Sequence, residues 1–268
     1  MLEKSRFPPS RARLAAVLQA GRELVSIGTT VSTLGVGRPE AAKLLSRWQS
    51  QGWLRRVGRG LYVPVPLELA DVGQVVQDPW AIVPPLFGAS YIGGWTAAHH
   101  WEMTEQLFNE TLVFTTKRVK QAHPVASGIR FAVHRVAPVQ LFGLVTLWRG
   151  RQRVMVSDPA RTLVDMLART DTGGGIDHVA ECLVAYLRDP KADRKLLLQY
   201  AQKLGNGAVF KRLGFLAASQ AGEQLLVEAC KNHLTQGYAR LDPALACPRL
   251  VTAWRLWVPE RWGRRRRD

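Results

Sequence analysis

Acidic residues are scarce in this 268-residue chain: 21 Asp and Glu face 37 Lys and Arg, a net charge of +16 at neutral pH. The sequence pI is near 10.6. Such an imbalance selects a polyanionic partner, nucleic acid or an anionic membrane face. Cysteine is equally sparse. Cys182, Cys230 and Cys247 are an odd, widely spaced set, which excludes a disulfide framework and a Cys-x-x-Cys metal pair and reads as buried thiols in a reducing cytoplasm. The six histidines, His99, His100, His123, His134, His178 and His233, show no helical i, i+4 pair and no carboxylate at metal spacing. There is no Gly-x-Ser-x-Gly and no P-loop. The nuclease-like triplet Asp189-Pro190-Lys191 sits where a helix has just ended and reads as a turn. No apolar leader follows the polar start of the chain. One uncharged run, Pro79 to Trp101, is long enough to span a bilayer, but Pro84-Pro85 and Gly93-Gly94 interrupt it twice. A lipid-exposed helix does not tolerate that, so the run reads as a buried, broken segment of a soluble domain. These absences predict a cytoplasmic protein that is not an enzyme and needs no cofactor or metal.

What is present is concentrated at the front. Residues 1–65 hold eleven Lys and Arg against three acids. A second cluster, Arg261 and Arg264 to Arg267, closes the chain and reads either as a solvated end or as a phosphate contact. Arginine predominates, which suits bidentate phosphate binding. Ser10 is placed to cap a first helix carrying Leu14, Val17 and Leu18 and stopped by Gly21. A short second helix is expected over about Thr30 to Leu34. Pro39, at a first helical position, opens a third running to about Gln51. Ala41, Leu44, Leu45 and Trp48 form its apolar face; Lys43, Ser46, Arg47 and Ser50 lie opposite. After Gly52 the period changes. Trp53 to Val57, a Gly58-Arg59-Gly60 turn and Leu61 to Val65 read as a β-hairpin with Arg55, Arg56 and Arg59 towards its tip. Three helices and a basic hairpin make a winged helix-turn-helix, whose third helix enters a major groove while the wing grips backbone or minor groove. The predicted DNA-binding residues are Arg38, Lys43, Ser46, Arg47, Ser50, Arg55, Arg56 and Arg59.

The predicted fold class is α+β, with the winged helix over residues 1–72 and a larger mixed α/β domain over 73–268, joined by a link through Pro64, Pro66 and Leu67 to Gly73. Strands are expected at 112–114, 129–133, 144–148 and 154–156. Helices are expected after Asp158-Pro159, across 176–187, after Asn206-Gly207 and over 225–229. A last strand carries Trp254, Leu256 and Val258. Gly173-Gly174-Gly175 reads as a helix connector.

Four blocks in this second region, standing behind a basic winged helix, resemble the AbiEi antitoxins of type IV toxin–antitoxin (abortive infection) systems. They are Tyr91-Ile92-Gly93-Gly94-Trp95-Thr96-Ala97-Ala98 with Thr104-Glu105-Gln106; Val113 to Arg118; Ser157 to Asp165; and Asn206 to Gly214. Trp101-Glu102-Met103 stands where the family has His-Gly-Leu. The resemblance covers nearly the whole chain. It implies an autorepressor that binds double-stranded DNA at promoter repeats. It also implies a C-terminal antitoxin domain that counteracts a nucleotidyltransferase-like toxin without a stable complex. Trp95, Thr96, Lys117, Arg118, Asp158, Arg161, Lys211 and Arg212 are the motif residues it carries. Two other readings of the residues stay open: a DNA-binding regulator whose second domain senses a ligand or partner, and a diverged metal-dependent nuclease using Asp189.

Overall fold

The computed structural model describes residues 9–21, 24–65, 78–126, 128–150, 152–221 and 223–262. The predicted link at 66–73 and the arginines at 264–267 lie outside them. The helices are α1 Pro9–Gly21, α2 Ile27–Leu34, α3 Arg38–Ser50, α4 Val83–Phe87, α5 Gly94–His100, α6 Pro159–Ala168, α7 Ile176–Arg188, α8 Arg194–Leu204, α9 Gly207–Leu216 and α10 Gln224–Lys231. The strands are β1 Val25–Ser26, β2 Leu54–Gly58, β3 Leu61–Pro64, β4 Ser90–Ile92, β5 Thr111–Thr115, β6 Val125–Ala126, β7 Ile129–Arg135, β8 Leu144–Arg149, β9 Gln152–Ser157, β10 Ala239–Arg240, β11 Arg249–Val251 and β12 Leu256–Val258. Three sheets result, of order β1-β3-β2, β6-β7-β5-β4-β9-β8 and β10-β12-β11. The chain is α+β, with a helix-turn-helix at its start and a larger α/β portion behind it. It divides into two compact units: residues 1–90, 115–135 and 147–154, and residues 91–114, 136–146 and 155–268.

In the first unit, Leu14, Val17, Val25, Leu45, Trp48, Leu54 and Tyr62 form the core of the winged helix. Three expectations are refined. Helix α1 begins at Pro9, so Ser10 lies inside it rather than capping it. Helix α2 starts three residues before Thr30, because Ser26 Oγ accepts from Thr29 N at 2.9 Å and caps it there. The hairpin gains a third strand: Val25 pairs with Tyr62 and Ser26 with Leu61, antiparallel. Two residues are too few to show a period, which is why β1 is invisible in the sequence. Further along, Phe87 meets the Phe131 ring edge-on at 5.3 Å. Thr115 Oγ1 donates to the Phe87 carbonyl at 2.7 Å.

In the second unit α6 is central, and residues 160–167 of it are all buried. Arg161, Thr162 and Asp165 share one face of it, and because that face is buried too its polar groups must be satisfied inside. Strand β9 leads into it, and Ile92 of β4 lies beside Val156 of β9 in parallel register. The block around Gly93-Gly94 turns from β4 into α5. Gly94 sits at φ +51°, and a Cβ there would stand 2.3 Å from the Thr172 carbonyl, so only glycine fits. The connector at 173–175 joins a 3₁₀ turn, Thr170–Gly173, to α7, with Gly174 left-handed. Helix α8 carries no signal that the sequence reading used. Trp254 is not in a strand: it belongs to the 3₁₀ turn Thr252–Trp254, and Arg255 at φ +49° re-aims the chain into β12. Cys182 and Cys230 are buried thiols, and burial pushes both pKa values up to about 12. Cys247 is only half-buried, contrary to the reading of all three as buried.

Candidate DNA interface and the buried motif network

Helix α3 is built as its spacing predicts. Ala41, Leu45 and Trp48 are buried, and Leu44 packs against the same core. Gly37 precedes the helix, Pro39 lies in its first turn and Gly52 ends it with a left-handed backbone. Arg38, Lys43, Ser46, Arg47 and Ser50 are all exposed. Lys43, Arg47 and Ser50 fall on one stripe at i, i+4 and i+7. The Ser50 hydroxyl donates to the Arg47 carbonyl at 2.8 Å, so only its oxygen lone pairs face outward. In the wing, Arg55 lies opposite Val63 and Arg56 opposite Tyr62, with a bulge before Gly58. Arg56 Nε donates to the Gly58 carbonyl at 3.1 Å, which stiffens the tip. Arg59 is exposed between the two turn glycines, and Arg55 is half-buried.

Two cations that the site reading left out belong beside this face. Helix α1 brings Arg11 and Arg13 to a groove of about 580 Å³ that Arg47, Trp48 and Trp53 also line. Their charge is visible in the sequence, but their approach to α3 is tertiary. Arg13 also lies 3.8 Å from Glu40, an acid in the first turn of α3, with both side chains about half exposed. The face around Arg47 is left strongly positive.

The motif residues of the second region do not converge on one exposed site. Lys117 and Arg118 are exposed. Trp95 stacks on Phe108 at 4.9 Å and donates to the Glu110 carbonyl at 3.0 Å. Thr96 Oγ1 accepts from Leu112 N at 2.8 Å. The remaining four organise α6 and its neighbours. Asp158 caps the N-terminus of α6, accepting from Arg161 N at 2.8 Å, and takes a second bond from the Tyr200 hydroxyl at 2.9 Å. Burial nevertheless raises the Asp158 carboxyl pKa, against the pull of those hydrogen bonds.

Arg161 is fully buried. It donates to Asp165 Oδ1 at 2.9 Å, to the Tyr91 hydroxyl at 3.1 Å and to the Phe142 carbonyl at 3.2 Å. Its guanidinium lies 4.0 Å from the Phe142 ring centroid. Tyr91 in turn donates to Asp165 Oδ2 at 2.9 Å. Burial and then the Asp165 charge hold the Tyr91 phenol well above its ordinary pKa, so it remains a donor. At the other end of α6, Arg212 donates to the carbonyls of Leu167 at 2.6 Å and Ala168 at 3.1 Å, and to Arg240 at 2.8 Å. A cation over the last carbonyls of a helix satisfies groups that have no partner within it. Lys211 is buried and donates to the Gly237 carbonyl. Two of the sequence blocks thus cap opposite ends of one buried helix.

Asp189 caps the end of α7 and accepts from Lys191 N at 2.8 Å, a turn rather than a metal site. Among the described residues no group of three or more His, Cys, Asp or Glu is placed to hold a metal ion. No helix among them is long and apolar enough to cross a membrane.

A three-helix core with an exposed basic third helix and an arginine-tipped hairpin makes a winged helix-turn-helix. Residues 14–65 match a family model described as transcriptional regulator, AbiEi antitoxin, and the rest of the chain lies outside that match. The crystal structure of the RV2827C protein from Mycobacterium tuberculosis is similar over 94% of this chain and 92% of its own, with a TM-score of 0.65 at 16% identity. That likeness establishes a shared fold. No curated protein matches the sequence.

Proposed function

We propose that this protein is a cytoplasmic type IV antitoxin that represses its own toxin–antitoxin operon. Residues 1–72 bind double-stranded DNA at promoter repeats, and residues 73–268 counteract a nucleotidyltransferase-like toxin without forming a stable complex with it. The observation that carries the reading is the exposed stripe of Lys43, Arg47 and Ser50 beside the Arg59-tipped wing, within the segment matched to antitoxin regulators. Arg47 and its neighbours read base edges; Arg38, Arg55, Arg56 and Arg59 hold phosphates. The role needs no catalytic step.

The experiment is titration of the full chain on its own promoter fragment and on a scrambled duplex, over a range of salt. With ~4–6 phosphates contacted, log K falls against log[salt] with a slope of about −4 to −5 per bound chain. Arg47→Ala costs about 1–3 kcal/mol on the promoter and relaxes specificity at one base position. A slope near zero, or an Arg47→Ala variant that stays folded and binds both duplexes like the wild type, removes the basis of the DNA reading. The antitoxin half is tested by co-expression with the adjacent toxin gene, where the full chain restores growth.

A further inference from the structure

Charge is divided unevenly between the two compact units. The first carries 19 Lys and Arg against 6 Asp and Glu; the second carries 18 against 15. Eight of the first unit's cations lie beyond the winged helix, in residues 115–135 and 147–154, and those stretches contain no acid at all. Three of the eight, Lys117, Arg118 and Lys120, are exposed and line a single groove of about 450 Å³ whose floor includes Leu86 and Phe87.

The groove adjoins the wing. A Cβ added at Gly58 would stand 2.9 Å from Leu86 Cδ2, so the same leucine that floors the groove packs on the strand leading to Arg59. The cations are also held in place. Thr115 Oγ1 donates to the Phe87 carbonyl and accepts from Lys117 N at 3.1 Å, which fixes the turn leaving β5. The Lys117 stem lies across Gly88, where a Cβ would meet its Cε at 2.4 Å. An ammonium anchored along its stem loses less freedom when it binds an anion.

We propose that this groove is a second contact for the phosphate backbone of operator DNA, taking phosphates next to those gripped by the wing. The proposal rests on the winged helix binding duplex DNA. It carries the DNA-binding surface past residue 72, to Lys117, Arg118 and Lys120. A duplex fits better than a single strand: the Phe87 ring is half-buried and engaged with Phe131, so the groove offers no free aromatic platform for an unstacked base.

The test compares two duplexes, one ending at the promoter repeats and one extended by about ten base pairs on each side, one helical turn. Three proteins are titrated at full length: wild type, Arg47→Ala, and the triple variant Lys117→Gln/Arg118→Gln/Lys120→Gln. Melting curves serve as the folding control. If three phosphates are neutralised, the wild type binds the extended duplex with a salt slope steeper by about 2.7. Its advantage on that duplex then shrinks roughly 40-fold between 50 and 200 mM salt. The triple variant loses this extra slope and keeps its affinity for the short duplex. If the triple variant melts early, the single changes Lys117→Gln and Arg118→Gln replace it, each lowering the slope by about 1. A triple variant that matches the wild type on the extended duplex, while Arg47→Ala is weakened on both, overturns the groove and leaves the winged-helix reading standing. Arg47→Ala indistinguishable from wild type on both overturns the two together. Loss of toxin protection with DNA binding unchanged also overturns the proposal and assigns the three cations to the antitoxin function.

Discussion

Removing one member of the Arg161–Asp165 pair is at least as damaging as removing both. The two side chains are 1% and 5% exposed and 2.9 Å apart. Asp165→Leu leaves a guanidinium in the interior without its counter-charge, a loss of about 3–5 kcal/mol. Arg161→Met leaves a carboxylate whose remaining side-chain donor is Tyr91, again about 3–5 kcal/mol. Burial already raises the Asp165 pKa, so protonation softens that loss as the pH falls. In Arg161→Met/Asp165→Leu both charges are gone. The Tyr91 hydroxyl and the Phe142 carbonyl lose partners, at about 1–3 kcal/mol each. Apolar replacement of a buried pair returns about 1–4 kcal/mol. The double variant should therefore be no less stable than either single one, giving a coupling energy of at least about 3–5 kcal/mol. Urea unfolding of the four proteins, followed by far-UV circular dichroism and tryptophan fluorescence, measures it. Losses that simply add, within about 0.5 kcal/mol, refute the claim that the pair acts as one buried unit.

Three further outcomes follow from other contacts. Arg59→Ala should weaken promoter and random duplex by similar factors and flatten the salt slope by about 1, read in the same titrations as Arg47→Ala. Gly214→Ala should lower the melting temperature, because its Cβ would stand 2.1 Å from Trp254 Cζ3 and 2.8 Å from Cys230 Cβ. Overpacking of ~1–3 kcal/mol outweighs the ~1 kcal/mol gained in helix propensity; an unchanged melting temperature would contradict the contact. Asp158 has a raised pKa in the fold, so its contribution is present below the ordinary carboxylate range and is lost as pH rises through the folded value. Asp158→Asn keeps the cap without the titration. Its melting temperature should therefore gain on the wild type as the pH rises from the ordinary carboxylate range through the raised value of Asp158, and should not fall behind it.

The parts of the fold read correctly from the sequence are those governed by local rules. The α3 face follows from i, i+3, i+4, i+7 spacing, the start of α6 from Asp158-Pro159, and the start of α9 from Asn206-Gly207, whose Oδ1 accepts from Ala208 N at 3.0 Å. What escaped is tertiary. The strand at Val25–Ser26 exists because β3 offers it an edge. Arg161, Lys211 and Arg212 look like surface charges in a sequence, yet all three are buried. Arg161, Thr162 and Asp165 share one helix face, a pattern that in the sequence is the same as that of a solvated i, i+4 ion pair. On the exposed basic face, helical spacing and the hairpin turn make Arg47 and Arg59 legible in the sequence, but only packing brings Arg11 and Arg13 of α1 alongside Arg47.

The first compact unit is assembled from three separate stretches of chain, and synthesis on the ribosome delivers them in order. The winged helix has mostly local contacts and its last strand ends at Pro64. The stretch 115–135 emerges roughly fifty residues later, ~3–10 s at ordinary elongation rates. From its own synthesis until residue 131 is made, Phe87 lacks its Phe131 partner. Thr115, whose hydroxyl binds the Phe87 carbonyl, has not yet been made. The nascent chain thus carries an apolar patch around α4 beside a finished, cationic module. In the order of synthesis the winged helix is complete before the contacts that cover α4 exist.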